Sequence, residues 1–421
     1  MDKYVIHGGK TLSGSVSVSG AKNSCLALMP STLLTEGKNI IFNVPEVNDT
    51  FTMIKLLNEL GAKTKFENYK LELDTSHIVS QTAPYEHVKK MRASVYVLGP
   101  LLAKYGFAKV SMPGGCAWGP RPINLHLEAM EKLGAEIKLE EGYIIAKANR
   151  LHGAKINFDV SSVGATGNAL MASVLAKGTT LITNAAIEPE IVHLERYLQK
   201  MGAKINGIGS SHLEIEGVDE LKPAGITNIP DRIEAGTLLI AAAITHGKIK
   251  LLYKESEHIE SVLTKLDDSG AKLNIEEDFI EIDTTDSDIN SIDVTTSIYP
   301  GFPTDMQAQW TAYMTLSNGT STITDNIYLD RFKHVPELVR LGANIEVRNN
   351  SAIVKGVKKL IGAKVMSTDL RASASLVLAG LAAEGTTEIL RIYHLDRGYQ
   401  KIEQKLQKLG ADIERVTTKE Y

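Results

Sequence analysis

The sequence predicts an α/β protein built from six repeats of about 70 residues each, a fixed period that denotes a repeat architecture with one supersecondary unit per period. Three observations carry this reading. A tripeptide ending in Gly-Ala recurs at near-constant intervals along the whole chain, at Gly61, Gly134, Gly202, Gly270, Gly342 and Gly410. A second glycine, at Gly37, Gly106, Gly178, Gly247, Gly319 and Gly385, precedes each of these at a spacing that hardly varies. Strand-like segments follow both glycines.

Taken in order, each repeat opens with a helix that ends at the earlier glycine, a residue suited to a helix C-terminus. A β-rich run comes next, as in NIIF after Gly37, TTLIT after Gly178 and TTEIL after Gly385. An amphipathic helix follows. Ile191, Leu194, Leu198 and Met201 share one helical face, as do Ile402, Leu406 and Leu409. The Gly-Ala tripeptide ends this helix, and a strand such as AKTKF, AEIKL, AKLNI or ANIEV closes the repeat. Each repeat therefore reads helix, strand, helix, strand.

At 421 residues the chain is too long for one core and suits two domains. A hydrophobic content of 43% and a charged content of 23% are those of a globular protein. A net charge of −4 gives no polybasic footprint, so nucleic acid is not the expected partner, and an anionic ligand must meet a local cluster of cations. Two cysteines make no disulfide scaffold. The start MDKYVIHGGK has no signal-peptide core, and the longest apolar run, LLIAAAI, is too short to span a bilayer. A reducing cytoplasm, with no membrane, is the expectation.

The second repeat departs from the pattern. Its spacing from Gly106 to Gly134 is the longest of the six glycine-to-glycine spacings, and the excess falls in PGGCAWG, around Cys116. Inserted loops on a regular scaffold often carry sites; the alternative is a tolerated surface loop with an incidental cysteine. Cys25 in SCLALM and Trp310 read as core residues. Gly8 and Gly9 read as a turn. His7, His87, His152 and His258 are scattered, with no metal-ligand spacing.

The first helix of each repeat begins at an equivalent position, occupied by Lys22, Arg92, Gly164, Arg232, Asp305 and Arg371. Four of the six are basic, against the preference of the helix macrodipole. Three repeats around a pseudo-threefold axis would send three helix starts to one end of a domain, and two such domains facing each other would enclose a cationic cleft for a polyanion. Asp305 is the one acid in the column. It is either a plain helix-terminal carboxylate or a base held ionised among cations, able to take a proton from a substrate hydroxyl.

The motifs SGAKN (19–23), MRAS (91–94), PGGCAWGPRPINLH (113–126), SVGATGN (162–168), YPGFPTDMQ (299–307), RFKHVPEL (331–338), DLRASASLVLAG (369–380) and YHLDRGY (393–399) closely resemble the UDP-N-acetylglucosamine 1-carboxyvinyltransferases of the enolpyruvyl transferase family. The resemblance runs from about residue 3 to the C-terminus. It implies a two-domain inside-out α/β barrel (EPT/RTPC-like), with helices inside and sheets outside. One domain would span 22–229, the other 1–21 plus 230–421, with the active site between them.

The implied activity is transfer of the enolpyruvyl group of phosphoenolpyruvate to the 3-hydroxyl of UDP-N-acetylglucosamine. Phosphate is released by addition and elimination, in the first committed step of peptidoglycan synthesis. That step underlies cell wall biogenesis, cell shape and cell division. No metal and no cofactor are implied. Lys22 matches a lysine that binds phosphoenolpyruvate, with Asn23 beside the substrates. Arg92, Arg121, Arg331, Arg371 and Arg397 match arginines around the phosphate and carboxylate. Cys116 matches the reactive cysteine linked to protonation of the enolpyruvyl methylene and to inactivation by fosfomycin. Asp305 matches the acid that takes the 3-hydroxyl proton. Arg121, Pro122, Ile123, Asn124 and Leu125 match the uridine-binding segment. Ser162, Val163 and Gly164 match residues near the diphosphate, and Ile327 lies by the sugar nucleotide. Bound UDP-MurNAc is a further partner suggested by the resemblance. Asn124 and Asn48 are departures, standing where relatives have Asp and Lys. Two rivals remain open at this point: 3-phosphoshikimate 1-carboxyvinyltransferase, and a catalytically idle paralogue that binds sugar nucleotides.

Overall fold

The inner helices explain the architecture. In Lys22–Ser31 every residue but Asn23 is buried, and in Arg232–Ile244 every residue but the first. A helix apolar on all faces must be enclosed by other elements. Arg232–Ile244, Gln307–Met314 and Leu370–Ala382 pack on one another, and Leu98–Tyr105 packs on Val163–Ser173. The sheets lie outside these helices and alternate in burial along each strand, as Lys38–Phe42 and His212–Glu216 do. Helices inside and sheets outside is the inside-out arrangement expected. The computed structural model describes residues 2–89, 91–112 and 123–419. The loop residues Cys116, Arg121 and Pro122 lie outside these.

The chain forms two compact domains, Gly20–Ile229 and Met1–Ser19 with Pro230–Tyr421. Each has its own hydrophobic core. Cys25 is fully buried in the first, and Trp310 in the second, edge-on to Phe302 and Tyr313. Both are the core residues anticipated.

Six four-stranded sheets occur among the described residues, all on one plan. In the third repeat Lys155–Asn157 runs parallel to Thr179–Thr183, which pairs antiparallel with His212–Glu216, and that with Lys204–Asn206. The helix, strand, helix, strand reading thus misses two strands per repeat. One is a short parallel edge strand, only Thr82–Ala83 in the second repeat. The other is the return of a hairpin such as Lys63–Glu67 to Lys70–Asp74, turned at Asn68 and Tyr69 in left-handed backbone.

Sheet closure joins distant chain segments. Gly225–Thr227 pairs with Lys38–Phe42 and completes the sheet of the first repeat. In the other domain Ser13–Ser17 pairs with Lys248–Leu252, and Asp2–His7 lies between Thr386–Leu390 and Asp412–Thr417.

The six Gly-Ala glycines all sit at φ between 93° and 112°, the left-handed conformation that ends a helix. The earlier glycines follow suit except Gly247. There His246 takes the positive φ, at 50°, and Gly247 serves close packing instead, since a Cβ would lie 2.4 Å from the Leu12 carbonyl oxygen.

The column of first-helix positions is placed as expected. Lys22, Arg92 and Arg232 are first residues of their helices, and Gly164, Asp305 and Arg371 second. In two repeats the helix opens as a 3-10 turn, Arg92–Val97 and Thr304–Met306.

Candidate active site

In the domain containing Pro230–Tyr421, Asp305 is gripped by two arginines. Arg371 donates to one carboxylate oxygen at 2.7 Å, and Arg331 pairs with the other at 2.8 Å. Both guanidinium side chains are almost fully buried, at 5% and 8% exposure. Burial alone would raise the Asp305 carboxyl, but the Arg371 and Arg331 charges outweigh it and hold the group well below the usual carboxylate range. Asp305 is therefore ionised at neutral pH.

Capping and stacking fix this cluster. Asp369 accepts from the backbone N–H groups of Arg371 and Ala372 at 2.9 and 3.1 Å, which starts the helix Leu370–Ala382. The Tyr399 ring lies 5.5 Å from the Arg371 guanidinium. Gln309 donates to the Asp305 backbone carbonyl at 2.9 Å and to the Tyr399 hydroxyl at 3.1 Å. Arg397 closes the 3-10 turn Ile392–Arg397, two residues before Tyr399. That segment is bracketed by left-handed backbone at Arg391 and Lys401, with φ of 59° and 45°. Such conformations cost non-glycine residues about 1–3 kcal/mol and cluster at functional segments. Ile327 is partly exposed, in the turn after the strand Thr320–Asp325.

In the domain Gly20–Ile229, Lys22 is 8% exposed and pairs with Asp49 at 3.3 Å. Ser162 caps the helix Val163–Ser173 by accepting from the Ala165 N–H. An amino-terminal helix end capped in this way presents free N–H groups to anions. Behind it lies His126, buried and bonded through Nδ1 to Asn168 at 2.9 Å. Asn168 accepts from the Gly99 N–H through its carbonyl oxygen and donates to the Val95 carbonyl through its amide. Its amide therefore donates to His126 as well, so the imidazole is neutral with its proton on Nε2. Burial, and then the Arg92 charge, push His126 down to about 4. A Cβ on Gly164 would come within 3.0 Å of this ring, so glycine is what lets the ring and the helix start approach. Ile123 and Leu125 are half-buried, and Asn124 is exposed at the start of Asn124–Lys132, donating to Glu128 at 3.3 Å.

The EPSP synthase (3-phosphoshikimate 1-carboxyvinyltransferase) family matches residues 6–406. Proteins named UDP-N-acetylglucosamine 1-carboxyvinyltransferase are similar over the whole length. That of Chloroherpeton thalassium is 61% identical over 424 aligned residues, covering 100% of this chain and 99% of its own. That of Chlorobaculum parvum is 58% identical and covered throughout. The chain belongs to the UDP-N-acetylglucosamine 1-carboxyvinyltransferase family. Among solved structures, the enolpyruvyl transferase NikO from Streptomyces tendae superposes with a TM-score of 0.91 at 25% identity, over 99% of both chains. EPSP synthase from Acinetobacter baumannii shares the fold, with a TM-score of 0.76 at 18% identity.

For a member of this carboxyvinyltransferase family, the structure brings Asp305, Arg331 and Arg371 into direct contact within one domain. In the other, Arg92 lies close enough to His126 to depress it, and Gly164 lies against the same ring. Sequence reasoning missed Asp49, His126, Asn168, Asp231, Asp325 and Asp369. Asp231 and Asp369 could have been found as helix caps, each standing directly before an inner helix. His258 is the exception among the scattered histidines: its ring lies with Glu255 and Glu257, their ligand atoms within 4.8 Å of one another.

Proposed function

We propose that this chain transfers the enolpyruvyl group of phosphoenolpyruvate to the 3-hydroxyl of UDP-N-acetylglucosamine and releases inorganic phosphate, with Asp305 as the base. The observation that carries the reading is the Asp305 carboxylate, ionised between Arg371 and Arg331 at 2.7 and 2.8 Å. An ionised carboxylate at the start of an inner helix can accept a hydroxyl proton, and the family's substrates supply such a hydroxyl.

In the addition step the sugar oxygen bonds to C2 of phosphoenolpyruvate, its proton goes to Asp305, and C3 takes a proton from Cys116. In the elimination step C3 returns a proton to the Cys116 thiolate, the bond from C2 to the phosphate oxygen breaks with its electron pair leaving on phosphate, and the phosphate takes up the proton held by Asp305. Lys22, Arg92, Arg121, Arg331, Arg371 and Arg397 serve the phosphate and carboxylate, where planar guanidinium forks suit bidentate anion binding. Asn23 stands beside them. Arg121 to Leu125 serve the uridine, Ser162 to Gly164 the diphosphate, and Ile327 the sugar. The product leads into peptidoglycan, which ties the enzyme to the cytoplasm, to cell shape and to cell division. Cys116 is the site at which fosfomycin would alkylate the protein. Bound UDP-MurNAc belongs to the same proposal.

Phosphate release from phosphoenolpyruvate tests the reading when run in parallel with UDP-N-acetylglucosamine and with shikimate 3-phosphate. Release only with the sugar nucleotide, and its loss in Asp305→Asn, is expected. Release only with shikimate 3-phosphate overturns the substrate, and release with neither from folded protein revives the idle paralogue.

A further inference from the structure

We infer that Asp325 is a positioning residue for this reaction, holding the proton-accepting Asp305 and the sugar-side turn at Ile327 through its two carboxylate oxygens. The inference rests on the reading of Asp305 as the base.

Asp325 is the last residue of the strand Thr320–Asp325 and is fully buried. One oxygen, Oδ2, accepts from the Thr304 hydroxyl at 2.7 Å. That hydroxyl in turn accepts from the Arg331 guanidinium at 2.9 Å. The other guanidinium nitrogen of Arg331 holds Asp305 at 2.8 Å, and Thr304 is the residue directly before Asp305. A hydroxyl has a single proton. Because that proton is committed to Asp325, the oxygen lone pairs are turned toward Arg331. The result is a chain of bonds from a buried carboxylate to the orientation of the arginine that clamps the base.

The second oxygen, Oδ1, has a different set of partners. It accepts from the Thr296 hydroxyl at 2.7 Å and from the backbone N–H groups of Ile327 and Tyr328 at 3.0 and 2.8 Å. Thr296 also accepts from the Asn326 N–H at 3.1 Å, so the three residues after Asp325 are all tied to this pair of side chains. Ile327 is the residue assigned to the sugar nucleotide. One carboxylate thus sets both the base and the turn that faces the sugar. Burial raises the Asp325 carboxyl, while the bonds from Thr304 and Thr296 and the Arg331 charge lower it. The charged and titratable groups around the clamp are Arg331, Arg371, Asp369, Asp231, Tyr399 and His334.

The test separates the two oxygens. Thr304→Val removes the hydroxyl at nearly constant shape, and Thr304→Ser keeps it. Loss of the bridge should lower kcat in Thr304→Val about ten- to hundred-fold, the scale of a slightly misplaced catalytic group. The KM for UDP-N-acetylglucosamine should change far less. The acid limb of kcat against pH should move to higher pH, because a loosened Arg331 stabilises the Asp305 anion less. Thr304→Ser should restore both. Asp325→Asn can keep Oδ1 but turns an N–H toward Thr304, so it should reproduce the kcat loss. Combining it with Thr304→Val should add little, as expected for residues acting in one chain. A wild-type kcat and acid limb in Thr304→Val overturn the inference, and so do fully additive losses in the double variant. If Asp325→Asn fails to fold, Thr304→Val decides alone. Asp305→Asn is assayed beside them: full activity there overturns the base assignment itself, whereas an inactive Asp305→Asn beside a wild-type Thr304→Val overturns only the role of Asp325.

Discussion

Replacing Arg371 by Gln removes the closer of the two charges on Asp305 and leaves a shorter, neutral side chain. The nitrogen to oxygen distance is 2.7 Å, and the Asp305 side chain is 26% exposed. The charge centres then lie about 4 Å apart, and an effective dielectric constant of about 20 gives an interaction of about 4 kcal/mol. Arg331 remains, so the variant carboxyl moves up from its depressed position, helped by the burial that opposes ionisation. The assay is phosphate release for both proteins across the pH range, plotted as the ratio of variant to wild type so that substrate titration cancels. The plateau of that ratio at high pH measures lost substrate contacts. Its fall toward low pH measures protonation of Asp305. Stability should follow the same linkage. A depressed carboxyl contributes stability that is present above its unfolded value, near pH 4, and is lost as pH falls through the folded value. The variant should therefore lose less stability on acidification than the wild type, as read by urea unfolding at pH 7 and below pH 4. A ratio that stays flat down to the lowest pH at which both proteins remain folded refutes the argument that Arg371 keeps Asp305 ionised.

Three further outcomes are expected. Gly164→Ala puts a Cβ within 3.0 Å of the His126 ring, which Asn168 holds in place; overpacking of this kind costs about 1–3 kcal/mol, and KM for UDP-N-acetylglucosamine should rise about ten-fold, so an unchanged KM would detach this contact from the diphosphate. Cys25 is fully buried and its thiol is pushed up to about 12 by that burial, so iodoacetamide at pH 8 should leave it unmodified in folded protein and label it in urea; peptide mapping that finds native labelling of Cys25 refutes its place in the core. Glu195 is buried, accepts from the Gly209 N–H at 2.9 Å, and is raised to about 7 by burial. A carboxyl raised on folding contributes stability below its unfolded value that is lost as pH rises toward 7, so Glu195→Gln should stabilise the protein at pH 8 by about 1–3 kcal/mol in urea titrations, and no gain there would mean the side chain is solvated.

The repeat glycines and the inner helices were legible because both are set by local chemistry. A helix C-terminus wants a left-handed residue, and a run such as SCLALM is apolar on every side. The edge strands were not legible: Thr82–Ala83 has two residues and no pattern to read. The hairpin return of the first repeat was missed because its turn, Asn68–Tyr69, lacks glycine and depends on the sheet to hold it. In the site, the column of helix starts could be counted, but the partners could not. Asp305 and Arg371 stand 66 residues apart, and no spacing rule joins them. Asp49, Asn168 and Asp325 are short polar residues whose roles come only from what the fold places opposite them.

The fold also explains why the candidate functional residues of the described chain concentrate where they do. An inner helix such as Leu370–Ala382 is enclosed by its neighbours and its sheet, so a charge on its flank would be buried without water at a cost of several kcal/mol or more. Its first turn is different. Backbone N–H groups there lack partners within the helix, and a side chain in the first turn can reach past the packed layer. Charged residues on an inner helix are therefore tolerated at its start and excluded along its length, as Arg371 and Lys22 show against the apolar runs that follow them. Repetition multiplies this one permitted position six times. Five of the copies can then be basic or small, and changing the sixth to Asp305 places a single carboxylate among cations that would be unstable without it. The acid stabilises Arg331 and Arg371 in the resting protein, and its removal should weaken the fold as well as the reaction. Asp305→Asn should thus lower the unfolding midpoint in the absence of substrate and regain part of that loss when phosphate is added, because an anion restores the missing charge. A variant whose midpoint ignores phosphate would show that the two guanidinium groups find other compensation.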